Sequence, residues 1–139
     1  MINALSSVVE FRSLESGEHI KRVETFTGII LYHLRKLYPE YNITDEQVKL
    51  IVKASALHDI GKIAIPDEIL LKPGRFTKDE FEVMKTHTTQ GCEILEKFKQ
   101  DDNEFYQYCY DICRHHHERY DGKGYPDHLV GEDIPIWEQ

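Results

Sequence analysis

Apolar residues recur at helical spacing along most of this chain. A first amphipathic helix is predicted by apolar positions three and four residues apart: Ile20, Val23, Phe26, Ile30, Leu34 and Leu37. Ser16 is the expected N-cap of this helix, and Pro39 is expected to end it.

Two capping-box patterns predict where further helices begin. Thr44 is followed three residues later by Gln47, and Thr77 is followed in the same way by Glu80. The first box opens a helix that leads into a His-Asp pair at 58–59. The second opens a helix that is expected to continue through His87.

The rest of the chain adds one more helix and then a loop. Helical spacing predicts a last helix from about 104 to 118, after which Gly and Pro predict loop from Tyr120 onward. No stretch alternates as a strand would. The pattern therefore predicts an all-α bundle of about five to six helices with a Gly/Pro-rich C-terminal loop. A length of 139 residues favours a single domain over 1–139.

Composition excludes several classes of protein. Hydrophobic residues make up 40% and charged residues 30%, and the formal net charge is −8. Because polymeric nucleic acid is bound through clustered Lys and Arg, no nucleic-acid partner is expected. No apolar run is long enough for a membrane span, and the start lacks a signal-peptide pattern, so a cytoplasmic location is expected. Cys92, Cys109 and Cys113 are expected to pack as free thiols.

The first candidate for chemistry is the sequence His58-Asp59-Ile60-Gly61-Lys62. A neighbouring imidazole and carboxylate can reach one metal ion, and the carboxylate can bridge two. Gly61 lets the backbone turn close to the site. Lys62 is placed to neutralise a phosphoryl oxygen. Alone, a His-Asp pair is a weak signal, and the Ile-Gly-Lys that follows strengthens it.

The second candidate is the histidine triplet at 115–117 with the loop that follows it. Adjacent helical residues point about 100° apart, so two neighbouring imidazoles can serve two metals while the third points away or toward solvent. A lone triplet can also be a surface metal scavenger, and His87 alone is more often structural. The Asp121-Gly122-Lys123-Gly124-Tyr125-Pro126 loop favours a nucleotide-binding wall instead.

Together these motifs closely resemble the HD-GYP domain, a subgroup of the HD metal-dependent phosphohydrolases. The resemblance rests on the segment 58–62, His87, the His116-His117-Glu118 sequence and the Gly-Tyr-Pro loop, and it covers nearly the whole chain. It implies hydrolysis of cyclic di-GMP, or a related cyclic dinucleotide, to pGpG and GMP by a metal-activated water. It also implies two or three divalent metal ions, with iron or manganese favoured by nitrogen and oxygen ligands.

The resemblance also implies roles for individual residues. The metal ligands carried over by position are His58, Asp59, His87, His116 and His117, with Glu15 and His19 matching a third metal site. Asp59 resembles the bridging, catalytic carboxylate and Lys62 the lysine that contacts the scissile phosphate. Tyr125 and Lys123 lie on the loop that resembles the substrate side.

The chain departs from the family pattern at its end. Family members continue after the Ile-Pro pair at 134–135 with a helix that carries a further aspartate ligand and then basic substrate-binding residues. A missing ligand is expected to weaken metal binding, and a missing core helix would expose an apolar groove that invites dimerisation or swapping. Family members also commonly carry a signalling domain ahead of this one. The rival interpretation is a catalytically incomplete module that binds a cyclic dinucleotide or a protein partner.

Overall fold

Helices form most of the regular structure. The computed structural model describes residues 2–13, 18–99 and 103–139. Its α-helices are α1 (Ile2–Arg12), α2 (Glu18–Leu37), α3 (Asp45–Ser55), α4 (Asp67–Leu70), α5 (Lys78–Lys85), α6 (His87–Glu96) and α7 (Glu104–His115). Short 3-10 helices span Pro39–Tyr41, Ile60–Ala64 and Gly131–Asp133. Across the described ranges the only β pairing is an isolated bridge at 121 and 130, so the all-α prediction is confirmed.

Both predicted capping boxes are present. The Thr44 hydroxyl accepts the Gln47 backbone N–H, and the Gln47 side chain accepts the Thr44 N–H in return. Thr77 and Glu80 make the same reciprocal pair at the start of α5. These bonds satisfy N–H groups that a helix cannot pair internally, which is why the starts of α3 and α5 can be read from sequence. The predicted N-cap at Ser16 lies outside the described residues.

The apolar stripe predicted on α2 is only partly buried. Phe26, Ile30 and Leu37 are exposed, whereas Ile20 and Leu31 are the buried residues of this helix. Because α2 carries apolar side chains on more than one face, spacing alone does not decide which face meets the core.

The main core lies between α3, α6 and α7. Its most buried members include Ile51, Ala54, Leu57, Ile60, Cys92, Leu95, Tyr108, Cys109, Ile112 and Cys113. All three cysteines are free and buried, as predicted. This core fixes the ends of three segments that carry candidate metal ligands: the turn after α3, the start of α6 and the end of α7.

The prediction of one helix continuing through His87 is wrong. The chain breaks at Thr86, between α5 and α6. The Thr86 hydroxyl donates to the Val83 carbonyl oxygen at 2.6 Å, and the His87 Nδ1 bonds to the Met84 carbonyl oxygen at 2.7 Å. Such side-chain bonds compete with helical main-chain bonds, and they make His87 the first residue of α6.

Gly61 allows the 3-10 turn after the His-Asp pair to touch α6. A Cβ at this position would lie 1.8 Å from the His87 carbonyl oxygen and 2.5 Å from the Gly91 nitrogen. Real side chains cannot approach backbone atoms so closely, so only glycine permits this contact. The His-Asp turn is thereby held directly against the helix that carries His87.

The segment after α7 is irregular, as predicted from Tyr120 onward. The helix ends at His115, three residues earlier than the sequence pattern indicated, because periodicity predicts the existence of a helix better than its boundaries. Trp137 packs edge-on against Tyr108, with ring centroids 5.3 Å apart. None of the helices in the described ranges combines the length and apolar character needed to cross a membrane.

Candidate metal centre

Three histidines have their rings fixed by main-chain carbonyl oxygens. His58 Nδ1 lies 2.8 Å from the Ser55 oxygen, and His87 Nδ1 lies 2.7 Å from the Met84 oxygen. His116 Nδ1 lies 3.0 Å from the oxygen of residue 112. Because a carbonyl oxygen only accepts hydrogen bonds, each Nδ1 is the donor, and each Nε2 is left as the ring nitrogen that can bind a metal ion.

Two of these Nε2 atoms meet one oxygen of Asp59. His87 Nε2 lies 3.3 Å and His116 Nε2 lies 3.6 Å from Asp59 Oδ1, and the two nitrogens are 3.2 Å apart. His117 belongs to the same cluster, in which one ligand atom from each residue lies within 4.8 Å of all the others. The turn after α3, the start of α6 and the end of α7 thus place their candidate ligand atoms close together.

The other oxygen of Asp59 faces a second cluster. Oδ2 lies 3.0 Å from His58 Nε2 and 2.8 Å from Lys62 Nζ. His19, from the start of α2, joins His58 and Asp59 in a second group that could hold a metal. Asp59 is the residue common to both clusters, which is the arrangement needed for a bridging carboxylate.

The donor set and its spacing fit divalent metal ions. Two ligand atoms that are each about 2.1 Å from one ion lie about 3.0–3.4 Å apart at angles of 90° to 109°. The separations of 3.2 and 3.3 Å that involve His87 match this range. Both clusters, as far as the structure describes them, offer only imidazole nitrogen and carboxylate oxygen. Such donors suit iron, manganese or zinc rather than a thiolate-bound metal.

The electrostatics of the centre keep its carboxylate charged. Burial would raise the pKa of Asp59, but the neighbouring His116 and His58 imidazoles and the charge on Lys62 outweigh burial and hold that pKa far below its usual value. Burial and the neighbouring His116 and His87 lower the pKa of His117 to about 3. At neutral pH His117 is therefore an unprotonated imidazole, the form that binds metal.

An aromatic residue covers one side of the cluster. The Tyr125 ring stacks on the His117 ring with centroids 4.7 Å apart and planes 19° from parallel. Burial, with Asp59 nearby, raises the pKa of Tyr125 to about 12, so its phenol keeps its proton.

A groove of about 280 Å³ lies beside Tyr125. Its lining residues are Glu82, Lys85, Thr86, Thr89, Tyr125, Pro126 and His128. Lys85 Nζ lies 5.8 Å from the centre of the Tyr125 ring and pairs with Glu82 at 2.8 Å. The groove therefore shares Tyr125 with the histidine cluster, and its lining includes a cation, hydroxyls and an aromatic side chain.

The remaining predicted residues take different positions. Glu15 lies outside the described residues. Lys123 is exposed on the loop, where its backbone N–H donates to Asp121. His115 points away from the clusters but not to solvent, because its Nε2 lies 3.0 Å from Asp127 and its Nδ1 lies 2.9 Å from Glu138.

Sequence reasoning missed two residues that shape the centre. The Arg12 guanidinium donates to the carbonyl oxygens of Lys62 at 3.0 Å and Ile65 at 2.7 Å, and so holds the 3-10 turn that carries Lys62. The Glu118 carboxylate accepts three backbone N–H groups from residues 127–129. Glu118 lies within the quoted motif, but partners 9 to 11 residues away leave no local signal for its role.

The fold and site define an all-α protein with a histidine–aspartate centre for divalent metal ions. The family model described as HD domain matches residues 11–139. The chain therefore belongs to the HD domain family, and its HD-GYP resemblance is confirmed by the relatives.

Three relatives illustrate this similarity. The chain is 42% identical over 135 residues to the cyclic di-GMP phosphodiesterase response regulator RpfG of Xanthomonas campestris pv. campestris, covering 97% of this chain and 33% of that protein. It is 40% identical to 3'3'-cGAMP-specific phosphodiesterase 2 of Vibrio cholerae, covering 98% of this chain and 24% of that protein. It is also 40% identical to a cyclic di-GMP phosphodiesterase of Thermotoga maritima, covering 98% and 34%. The chain spans about a third or less of each relative.

Proposed function

We propose that this chain supplies the catalytic centre of a phosphodiesterase that hydrolyses cyclic di-GMP to linear pGpG and on to GMP. The observation that carries the proposal is the position of Asp59, whose two oxygens face two histidine clusters beside the Lys62 ammonium. The names of the relatives in X. campestris, T. maritima and V. cholerae support a cyclic dinucleotide as the substrate class. Residues 1–139 are proposed to act as one domain in this function.

The proposed centre holds two or three divalent metal ions, with iron or manganese as the expected metals. His87, His116 and His117 would hold one ion, His19 and His58 would hold another, and Asp59 would be shared. Where a third ion is held, Glu15 and His19 are its proposed ligands. When bound, such ions lower the pKa of water and neutralise charge on a phosphoryl group.

The chain's own side chains would orient the substrate. Lys62, fixed by Asp59, places a positive charge where phosphoryl oxygens would approach the clusters. A phosphodiester at the clusters would extend its nucleoside past Tyr125 into the groove. The Lys85 ammonium there can donate hydrogen bonds to a base or to a second phosphate. Lys123, on the same loop, is the second proposed substrate contact.

The test combines metal content with product analysis. The chain is stripped of metal, reloaded with excess manganese or, without oxygen, ferrous iron, and given cyclic di-GMP, and pGpG and GMP are separated by chromatography. Asp59→Asn, which preserves shape but removes the shared charge, should lose bound metal and product together. Asp79→Asn, an exposed carboxylate at the start of α5, is the matched control.

Two outcomes would overturn the proposal. Metal-loaded protein that binds the dinucleotide without releasing product would indicate the binding-module interpretation. Hydrolysis by Asp59→Asn at the wild-type rate would show that the reaction does not depend on this centre.

A further inference from the structure

A small cavity adjoins the second histidine cluster. It is lined by residues of α1 and of the His-Asp turn, and its lining includes His19, His58 and Asp59. Glu10 of α1 and Ser13, the residue after that helix, also line it. The cavity measures about 10 Å³, close to the minimum that admits one water molecule.

Glu10 presents an unpaired oxygen in this region. The residue is only 5% exposed. Its Oε1 accepts the Ile20 backbone N–H at 2.8 Å, whereas its buried Oε2 has no hydrogen-bond partner in the part of the chain that the structure describes. A buried carboxylate oxygen persists where a donor or a cation compensates it.

The second cluster needs additional oxygen ligands. His19, His58 and Asp59 supply three ligand atoms, and Asp59 is shared with the first cluster. Manganese and magnesium favour six-coordinate oxygen-rich sites, in which water completes the set. A water molecule in the cavity would lie between this cluster and Glu10, and its hydrogen would meet the acceptor that is otherwise unpaired.

We propose that Glu10 is a positioning carboxylate for a divalent metal ion at His19, His58 and Asp59. It accepts a hydrogen bond from a water molecule in the cavity that is also a ligand of the ion. The inference rests on the metal binding in the proposed function and adds a residue to it. Carboxylates that hydrogen-bond to metal ligands change metal affinity by about 10- to 100-fold when they are removed.

Glu10→Gln tests this role with little change in shape. Its amide oxygen can still accept the Ile20 N–H, but an N–H donor then replaces the unpaired Oε2. Glu18→Gln is the matched control, because it removes the same charge from an exposed position next to His19. Manganese binding is measured by titration calorimetry and by metal analysis, and thermal unfolding of each metal-free variant reports on structure.

The expected result is selective. Glu10→Gln should weaken one class of manganese site about 10- to 100-fold and leave the other class, and the metal-free unfolding temperature, near wild type. Glu18→Gln should bind as wild type does. If Glu10→Gln does not fold, Glu10→Asp, which keeps the charge but shortens the reach, should show a partial loss at the same site.

Other results overturn the inference. Unchanged manganese affinity and stoichiometry in Glu10→Gln would show that the carboxylate does not act on the ion. An equal loss at both sites, accompanied by a lower metal-free unfolding temperature, would assign Glu10 a structural role only. Failure of the wild-type chain to bind manganese would instead refute the proposed metal centre.

Discussion

Glu118 holds the loop that carries Tyr125. Its Oε1 accepts the N–H groups of Asp127 at 2.6 Å and His128 at 3.1 Å, and its Oε2 accepts the N–H of Leu129 at 3.0 Å. Replacing it with Gln keeps one acceptor oxygen, removes the charge and places an amide N–H against the Leu129 N–H. We expect this change to open the loop.

The size of the effect follows from the bonds that change. A hydrogen bond to a charged group contributes about 1.5–3 kcal/mol. The hydrogen bonds from residues 127 and 128 are exposed, so each contributes at or below the low end of this energy range. The hydrogen bond from Leu129 is partly buried and contributes more. Losing the Leu129 bond and weakening the others should lower the free energy of local opening by about 2 kcal/mol.

Amide hydrogen exchange measures this opening directly. A change of about 2 kcal/mol corresponds to about 30-fold faster exchange at the Leu129 N–H. Glu132→Gln, which alters an exposed carboxylate in the same segment, should leave that exchange rate unchanged. Tyr125 should lose its fixed stacking on His117, so kcat/KM for the dinucleotide should fall while manganese content stays constant. Wild-type exchange at Leu129 in Glu118→Gln would refute this reasoning.

Three further predictions concern packing, substrate binding and pH. Gly61→Ala should lower the free energy of unfolding, measured by urea titration, by about 3 kcal/mol, because the added Cβ would lie 1.8 Å from the His87 carbonyl oxygen. A change under about 0.5 kcal/mol would contradict that contact. Lys85→Ala should raise KM for cyclic di-GMP without altering metal content; an unchanged KM would place the nucleoside elsewhere. Hydrogen bonds from Arg114 lower the pKa of Asp127. The pair therefore contributes its full stabilisation above about pH 4, which is the pKa of an unpaired Asp. That stabilisation is lost as the pH falls through the lowered pKa of Asp127. The stability difference between wild type and Arg114→Ala should therefore shrink from pH 6 to about pH 2, and a constant difference would argue against the pair.

The sequence predicted local features and residue types well. Thr44 and Thr77 were identified as caps because their hydrogen-bond partners lie three residues away. The candidate ligands could be identified because adjacent histidines and a His-Asp pair are unusual, and the structure brings His58, Asp59 and His87 together. Their roles as metal ligands stay predictions.

Features that depend on distant contacts could not be predicted. The buried face of α2 is chosen by what packs on it, and the stripe through Phe26 and Ile30 turned outward. The break at Thr86 reflects competition between side-chain and main-chain hydrogen bonds, which helical spacing does not register. Glu10 and Glu118 matter through partners that the chain meets only after folding.

The anchoring of His58, His87 and His116 has a consequence for how metal enters. Each Nδ1 bonds to a carbonyl oxygen three or four residues earlier in the same segment, so backbone conformation fixes each ring without help from its neighbours. Little side-chain entropy remains to be lost on binding. The ligands are therefore preorganised before metal binds. The rate of metal uptake should be set by dehydration of the arriving ion rather than by rearrangement of the protein.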